Sequence, residues 1–304
     1  MVANQRWILA GLVLVIGISA FVWRAVSPPV PVRIKGPKQI VFIAGGDSHG
    51  KGEHEHKGGT TLLAEKFKTA YPESETLVIQ GWPDDLTPLK EANTIVVFCD
   101  GGGDHLLAPH LANLDQILAK GTGLVMLHFA LEIPKGEGGQ YFQKWIGGYF
   151  ETNWSVNPIF TASFDSIPKH PVTNGVKPFA VKDEWYYHMR FVNRMNGITP
   201  ILQTLPPEST LQLKDGTHSN NKFVRKAVLE NKEPQIMAWA YDRPAIGRGF
   251  GFTGAHMHTN WQDDNFRKLV LNAIAWTAQM NVPDQGIVSA KPSNEELEKL
   301  SKQI

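Results

Sequence analysis

Residues 94–99 read Thr-Ile-Val-Val-Phe-Cys and lead into Asp-Gly-Gly-Gly at 100–103, and residues 123–128 read Gly-Leu-Val-Met-Leu-His. Both stretches are short, continuous apolar runs that end in a glycine-rich turn or a histidine. A strand buried on both faces has this pattern, because neither face needs polar residues. The segments that alternate with them are predicted strands at 39–44 and 76–80 and predicted helices at 59–71 and 111–118. This order predicts an α/β fold in which helices cover both faces of a mainly parallel sheet.

The second half of the chain continues the sheet after an irregular region. Residues 150–235 are rich in Pro, Asn and aromatic residues, which indicates insertions with short strands, one of them at 159–164. The remaining predicted elements are strands at 235–241 and 249–253 and a helix at 265–280. We therefore expect one doubly wound α/β domain over residues 38–282, with ligands binding at the carboxyl ends of its strands.

The two ends of the chain lie outside this domain. Residues 7–23 carry no charge and just reach the length of a membrane-spanning helix, which favours an uncleaved anchor over a signal peptide. Residues 1–37 are thus predicted to form a membrane anchor and a Pro-rich spacer. We expect the domain to be exported, because export signals usually place the following domain outside. The alternative is a cytoplasmic domain, which the positive charges after the segment favour. The tail, 283–304, contains Ser293-x-x-Glu296, a capping box that predicts a short helix.

The composition excludes several classes of function. The 304 residues include 30 basic and 29 acidic side chains, for a net charge of +1, so we expect no nucleic-acid partner. A single cysteine, Cys99, excludes an internal disulfide framework. No G-x-G-x-x-G stands between a strand and a helix, and no G-x-x-x-x-G-K-[ST] loop is present, so we expect no nucleotide cofactor. The sequence leaves open whether the chain forms a homo-oligomer.

Histidines gather next to three of the predicted strands. The predicted metal ligands are His49, His54, His56, His128, His256 and His258. Histidine is the commonest metal ligand, and three imidazole nitrogens with an open position are typical of a catalytic zinc site. His54 and His56 would share one face if their stretch were extended. We therefore predict a divalent metal, with zinc as the first expectation; the alternative is a set of solvated or core histidines that bind nothing.

Carboxylates and aromatic residues accompany these histidines. The candidate catalytic residues are His128, Glu132, Glu184 and His188. Either glutamate could serve as general base. The candidate substrate-binding residues are Asp100, Gly101, Trp185, Tyr186 and Trp261. Aromatic rings stack on the C–H faces of sugars and carboxylates accept hydroxyl hydrogen bonds, so we expect a small carbohydrate ligand, although aromatic runs are equally typical of a core.

Four stretches together resemble the trehalose-utilisation, or ThuA-like, family: residues 48–56, 123–128, 183–188 and 247–256. The resemblance covers about residues 38–280, and it implies a class I glutamine amidotransferase-like, flavodoxin-like fold and a link to disaccharide metabolism. In the broader amidotransferase-like fold, the turn after the strand that corresponds to residues 123–127 usually carries a nucleophilic cysteine. Here His128 holds that place, so the resemblance does not extend to glutamine amidotransferase activity.

Two functions remain open at this point. The first is a metal-assisted enzyme that acts on trehalose, another disaccharide or a keto-glycoside. On a keto-sugar, hydrolysis, isomerisation and elimination fit the side chains equally, whereas simple glycoside hydrolysis ranks lower because it needs paired carboxylates and no metal. The second is a non-catalytic, membrane-tethered carbohydrate-binding module. Such a module would use the aromatic residues and the acids, but it would have no need for converging histidines.

Overall fold

The computed structural model describes residues 36–46 and 48–301. The predicted anchor and most of its spacer, residues 1–35, lie outside the described residues and stay predictions. Within the described ranges, no helix is both long and apolar enough to cross a bilayer.

Strands and helices alternate along the first half of the chain, as the apolar pattern predicts. The strands are β1 Gln39–Ala44, β2 Glu75–Gln80, β3 Thr94–Phe98, β4 Gly123–Leu127, β5 Gly148–Tyr149, β6 Ile159–Phe164, β7 Phe179–Glu184, β8 Arg190–Phe191, β9 Ile198–Thr204, β10 Gln235–Asp242 and β11 Arg248–Phe252. The α-helices are α1 His56–Ala70, α2 Thr87–Glu91, α3 Leu111–Leu118, α4 Glu137–Ile146, α5 Lys222–Arg225, α6 Asp264–Thr277 and α7 Asn294–Ser301.

A seven-stranded sheet in the order β2-β1-β3-β4-β11-β10-β9 organises the domain. Its first five strands are parallel to one another, whereas β10 runs antiparallel to both β11 and β9. The insertions add two small antiparallel sheets, β5 with β8 and β6 with β7. The predicted flavodoxin-like α/β fold with a mainly parallel sheet is confirmed.

Helices cover both faces of the sheet, which explains why its strands are continuously apolar. Val96 of β3 packs in one core with Leu63 of α1 and Leu269 of α6. Its neighbour Val97 packs in the other core, with Ile117 of α3. Every residue of β3 and β4 is buried. Alternate side chains therefore enter two separate cores, and neither side of the strand faces water.

The first helix begins at His56, three residues earlier than the apolar pattern suggests, because glycines at its start pack closely rather than break it. A Cβ on Gly59 would lie 2.8 Å from the ring of Phe98, so a larger residue would push α1 off the sheet. At the other end of the chain, the Ser293 hydroxyl accepts the Glu296 N–H at 3.1 Å, as the capping box predicts for α7.

The parallel strands all end at one edge of the sheet. β1 leads into the loop 45–55, β3 leads to Asp100, β4 leads to His128, and β11 leads into the loop 253–257. Loops at the carboxyl ends of parallel strands meet in space, and ligands bind there in open α/β sheets. The fold thus brings the histidine-rich segments to one edge.

Candidate metal centre

His128 is held in a fixed orientation directly after β4. Its backbone is left-handed, with a φ of 53°, and its side chain is fully buried. Its Nδ1 lies 2.8 Å from the carbonyl oxygen of Thr253. Because a carbonyl oxygen can only accept, we assign the ring proton to Nδ1, and Nε2 presents a lone pair. Non-glycine residues rarely adopt this backbone conformation, and those that do concentrate at functional sites.

His54, in the loop between β1 and α1, is oriented from two sides. Its backbone N–H donates to the carbonyl of His256 at 3.1 Å. Its Nδ1 lies 3.1 Å from Oδ1 of Asp100, which also accepts the Ser48 hydroxyl at 2.7 Å. The carboxylate thus accepts a hydrogen bond from Nδ1–H of His54, and Nε2 of that ring carries the lone pair. A carboxylate that fixes the second nitrogen in this way is typical of metal-bound histidines.

A buried carboxylate holds the turn that carries His256. Asp183, in β7, is fully buried, and burial raises its pKa. Its oxygens accept the backbone N–H groups of Ala255 at 2.7 Å and Met257 at 3.1 Å. These bonds flank His256 on both sides, so Asp183 sets the direction in which that imidazole points.

Glu184, the last residue of β7, brings a carboxylate to the same place. Its Oε2 lies 3.3 Å from Nε2 of His128 and 3.4 Å from Nδ1 of His256. Its Oε1 accepts the side-chain amide of Asn157 at 3.1 Å. Burial alone would raise the pKa of Glu184, but the contacts with His128 and His256 outweigh it and lower the pKa. The carboxylate is therefore ionised at neutral pH.

One ligand atom from each of His54, His128, His256 and Glu184 lies within 4.8 Å of the other three. We call these four residues the His3Glu cluster. Nε2 of His54 is 2.9 Å from Nδ1 of His256 and 3.1 Å from Nε2 of His128. For ligands at ~2.0–2.1 Å from an ion, neighbouring ligand atoms are about 2.9 Å apart in an octahedral site and about 3.3 Å apart in a tetrahedral site. The cluster has the dimensions of a metal site and could hold one ion.

Two nitrogens of the cluster, Nε2 of His54 and Nε2 of His128, face each other at 3.1 Å. Burial, as the largest cause, lowers the pKa of His54 to about 4, so at neutral pH this residue keeps only its Nδ1 proton and its Nε2 can accept. A cation can be bound by both nitrogens at this distance, so the donor set fits a metal ion.

His49 and Asp100 lie next to the cluster. The exposed ring of His49 packs on His54 with centroids 3.8 Å apart, and these two residues form with Asp100 a second group that could hold a metal. Asp100 is engaged by His54, however, as its orienting carboxylate. Gly101 allows the loop after β3 to pack tightly, because a Cβ there would collide with the carbonyl oxygen of Phe129. We infer no direct ligand contact for Gly101.

His56 and His258, the last two predicted metal ligands, do not join the His3Glu cluster. His56 is the first residue of α1, and its Nδ1 donates to the carbonyl of Gly46 at 2.7 Å. His258 is buried against the same helix, where a Cβ on Gly58 would lie 3.3 Å from its ring. The extended backbone that would have put His54 and His56 on one face does not occur here, because the helix has already begun.

Glu132 borders the His3Glu cluster rather than belonging to it. It is buried, and its Oε1 lies 2.8 Å from Nε2 of His218, a residue that no sequence pattern singled out. The hydroxyl of Tyr186 lies 3.3 Å from Nε2 of His128. Burial, with the charges of Glu184 and Glu132, raises the pKa of Tyr186 well above its usual value. Tyr186 therefore keeps its proton and can donate a hydrogen bond.

The remaining predicted site residues lie among aromatic side chains. His188 stacks on Trp154 with centroids 4.4 Å apart, and its Nδ1 donates to the Trp154 carbonyl at 2.9 Å. Trp185 and Trp261 have no exposed surface, and the ring of Trp261 packs edge-on against Phe266 at 5.2 Å. Neither tryptophan offers a face to a sugar, because both indoles are part of the core.

Comparison with known proteins agrees with this fold. The sequence model of the ThuA family, described as trehalose utilisation, matches residues 54–277. No curated protein matches the chain. The crystal structure of a ThuA-like protein from Bacteroides uniformis ATCC 8492 is similar, at 18% identity and a TM-score of 0.55, over 82% of this chain and 96% of that one. A ThuA-like protein from Parabacteroides merdae ATCC 43184 gives 12% identity and a TM-score of 0.51, over 84% of this chain and 98% of that one.

At these identities, the two crystal structures support the fold alone. The family match carries more, because it spans most of the α/β domain and includes all four residues of the His3Glu cluster. The chain therefore belongs to the trehalose-utilisation (ThuA) family.

Proposed function

We propose that this protein is a divalent-metal-dependent enzyme that acts on a small carbohydrate. The observation that carries the proposal is the convergence of His54, His128, His256 and Glu184, with one ligand atom of each within 4.8 Å of the others. Three imidazoles and a carboxylate at this spacing are a donor set that divalent metals bind. A cation placed between Nε2 of His54 and Nε2 of His128, which lie 3.1 Å apart, would be bound by both nitrogens.

The donor set supports zinc as the first choice of metal. Imidazoles with one carboxylate are typical ligands of zinc, and iron(II), nickel and manganese remain competitors. When bound, the ion would polarise a carbonyl or hydroxyl group of the substrate or lower the pKa of a water molecule. Imidazoles bind metals in the neutral form, and burial favours that form for His54, whose pKa it lowers to about 4.

We assign proton exchange with the substrate to Glu132. Glu184, the other candidate base, lies among the ligand atoms and is better suited to binding the metal. Tyr186 keeps its hydroxyl proton at neutral pH and can donate it in a hydrogen bond to a substrate oxygen. Burial raises the pKa of Cys99, the one thiol of the chain, so thiolate chemistry of the amidotransferase kind is not part of the proposal.

The substrate class rests on the family description, trehalose utilisation, and on the rim of the cluster. The partly exposed side chains of Asp100, Glu53 and His218 can supply the hydrogen bonds that sugar hydroxyls need. Trehalose, another disaccharide and a keto-glycoside are the candidate substrates. The buried Trp185 and Trp261 weigh against a purely binding module, because its expected stacking surface is missing.

Metal analysis of the full-length protein, purified without a histidine tag or chelator, tests the proposal. His128→Ala removes one imidazole of the cluster. His188→Ala is the matched control, because His188 has a similar backbone (φ of 56°) and also donates from Nδ1 to a carbonyl. We expect near-stoichiometric metal in the unchanged protein and in His188→Ala, and its loss in His128→Ala.

Activity is tested in parallel on trehalose, other disaccharides and their keto-glycosides. We expect turnover that is lost when the metal is removed and restored when zinc is added. A protein that takes up no divalent metal on titration, or a His128→Ala variant that retains it fully, would contradict the proposal.

A further inference from the structure

The loop 212–221 brings an additional imidazole to the rim of the His3Glu cluster. Nε2 of His218 lies 2.8 Å from Oε1 of Glu132. The His218 ring stacks on Phe150, with centroids 5.4 Å apart and an interplanar angle of 20°. Phe150 in turn packs against Tyr186, whose hydroxyl reaches His128. Packed rings thus connect His218 to the cluster without making it a ligand.

Backbone hydrogen bonds hold this loop in place on both sides of His218. The N–H of Asn153 donates to the carbonyl of Thr217 at 2.8 Å, and the N–H of Asn157 donates to the carbonyl of His218 at 3.0 Å. The side chain of the same Asn157 donates to Glu184. One asparagine therefore couples the position of His218 to a residue of the metal centre.

Glu132 and His218 differ in their access to solvent. The Glu132 side chain is 5% exposed and the His218 side chain is 37% exposed. The Glu132 backbone is fixed as well, since its carbonyl accepts the Gly102 N–H at 2.9 Å and its N–H donates to Phe129 at 3.0 Å. A buried carboxylate with one ring partner can turn about its side-chain bonds if that partner is removed. The orientation of Glu132 thus depends on His218.

We infer that His218 is a positioning residue that aims the Glu132 carboxylate at an ionisable hydroxyl of a ligand bound at the His3Glu cluster. The inference rests on the proposed function, because it requires a metal in the cluster. In the step, the O–H bond of the ligand breaks, the proton goes to Glu132, and the electron pair stays on the ligand oxygen. The ligand class is a compound with a hydroxyl group that loses its proton on binding.

Acetohydroxamate binding to the cobalt(II)-loaded, full-length protein tests this inference. Acetohydroxamic acid must lose its N–O–H proton when it chelates an ion, and the visible absorption of cobalt(II) reports that binding. The variants are Glu132→Gln, His218→Ala and His218→Gln. His110→Gln is the matched control, because His110 is another partly exposed imidazole and stacks on Trp82 instead.

We expect all variants to keep their cobalt, and hydroxamate affinity to fall in a set order. Glu132→Gln should weaken binding roughly 10–100-fold, the value of a hydrogen bond to a charged group. His218→Ala should weaken it about 10-fold. His218→Gln should recover most of the loss, since its amide N–H still donates to Glu132. His110→Gln should bind as the unchanged protein does.

The outcomes separate this inference from the proposed function. Unchanged hydroxamate affinity in His218→Ala, with cobalt retained, would overturn the positioning role and leave the metal enzyme standing. His218→Gln as weak as His218→Ala would also overturn it, since the recovered hydrogen bond would then be irrelevant. Cobalt uptake without hydroxamate binding would remove the inference alone. An unchanged protein that takes up no cobalt would overturn both.

Discussion

The buried Glu151 and the partly buried Glu184 show how differently this chain uses a carboxylate. Glu151, next to β5, accepts Nε and Nη2 of Arg190 at 2.9 Å each, the Tyr149 hydroxyl at 2.7 Å and Nζ of Lys135 at 3.2 Å. Burial would raise its pKa, but these donors outweigh burial and lower the pKa. Cationic donors therefore satisfy Glu151 within the protein, and we expect it to serve the fold.

Glu184 has partners of a different kind. It faces the imidazoles of His128 and His256, and Nε2 of His54 lies 3.1 Å from Nε2 of His128. Imidazoles can bind a metal ion, whereas the guanidinium and ammonium groups around Glu151 can only donate. The comparison with Glu151 teaches that burial and a lowered pKa do not identify a binding site. The kind of partner around the carboxylate is more informative.

Metal affinity gives the largest expected difference between the two glutamates. Glu184→Gln removes an anionic ligand atom and keeps the shape of the side chain, so we expect affinity to fall roughly 1000-fold, about 4 kcal/mol. Glu151→Gln is the matched control and should bind metal normally. Competition with a chelating dye measures both affinities. Equal metal affinity in the two variants would break the comparison.

The free energy of unfolding should show the reverse order, with the larger loss in Glu151→Gln and the smaller loss in Glu184→Gln. Glu151→Gln leaves the guanidinium of Arg190 without its anion, although that group still lies 3.6 Å from the ring centre of Trp154. Breaking one side of such a pair costs about 3 kcal/mol. Glu184→Gln should cost less in metal-free protein, because the side chain faces imidazoles rather than a guanidinium. Urea unfolding of both variants checks this, and a larger loss in Glu184→Gln would mean that Glu184 is also structural.

The fold could be predicted from sequence because its cause is local. The continuous apolar runs of β3 and β4 follow directly from burial on both faces, and the positions after strand ends pointed to His128 and His256. Glu184 was also found, as a candidate base, but its place between His128 and His256 was not, because sequence spacing does not show what a carboxylate faces.

The membership of the cluster could not be predicted, because it depends on backbone details. His54 points into the cluster from a left-handed backbone with a φ of 49°, while His56 already belongs to α1. Trp185 has the composition of a sugar-binding residue, yet its indole packs into the core. His218 had no local signal at all, since its partner Glu132 is 86 residues away in the chain.

In metal-free protein, the His3Glu cluster and the surroundings of Glu151 should lose their contributions to stability at different pH values. Burial lowers the pKa of His54 to about 4, whereas an unfolded histidine takes a proton near pH 6.5. Its contribution to stability is therefore complete above about pH 6.5 and is lost as the pH falls towards 4. The contribution of Glu151, whose pKa is lowered, is present above about pH 4.5 and is lost only below that.

Variants can assign these two pH windows. The His54 shift, from 6.5 to about 4, corresponds to a loss of about 3 kcal/mol between these pH values. His256 acts in a different window: burial lowers its pKa, but Glu184 outweighs burial and raises it, so its contribution is complete below about pH 6.5 and is lost as the pH rises above that. His54→Gln should flatten the slope between pH 6.5 and about 4, whereas Glu151→Gln should lower stability at neutral pH and alter the pH dependence only below about pH 4.5. Urea unfolding at a series of pH values measures the slopes; a slope unaltered by His54→Gln would contradict the assignment.

The smallest expected effect comes from Lys135, the outermost donor to Glu151. Its side chain is 76% exposed, so water and salt screen the pair, and Lys135→Gln should change the free energy of unfolding by less than about 1 kcal/mol. Arg190 and Tyr149 still satisfy the carboxylate in that variant, and metal affinity should not change. Urea unfolding at low and high salt measures the contribution. A loss as large as that of Glu151→Gln would mean that the exposed ammonium, rather than the guanidinium and the phenol, stabilises Glu151. The distinction between the carboxylate of Glu151 and the His3Glu cluster would then need revision.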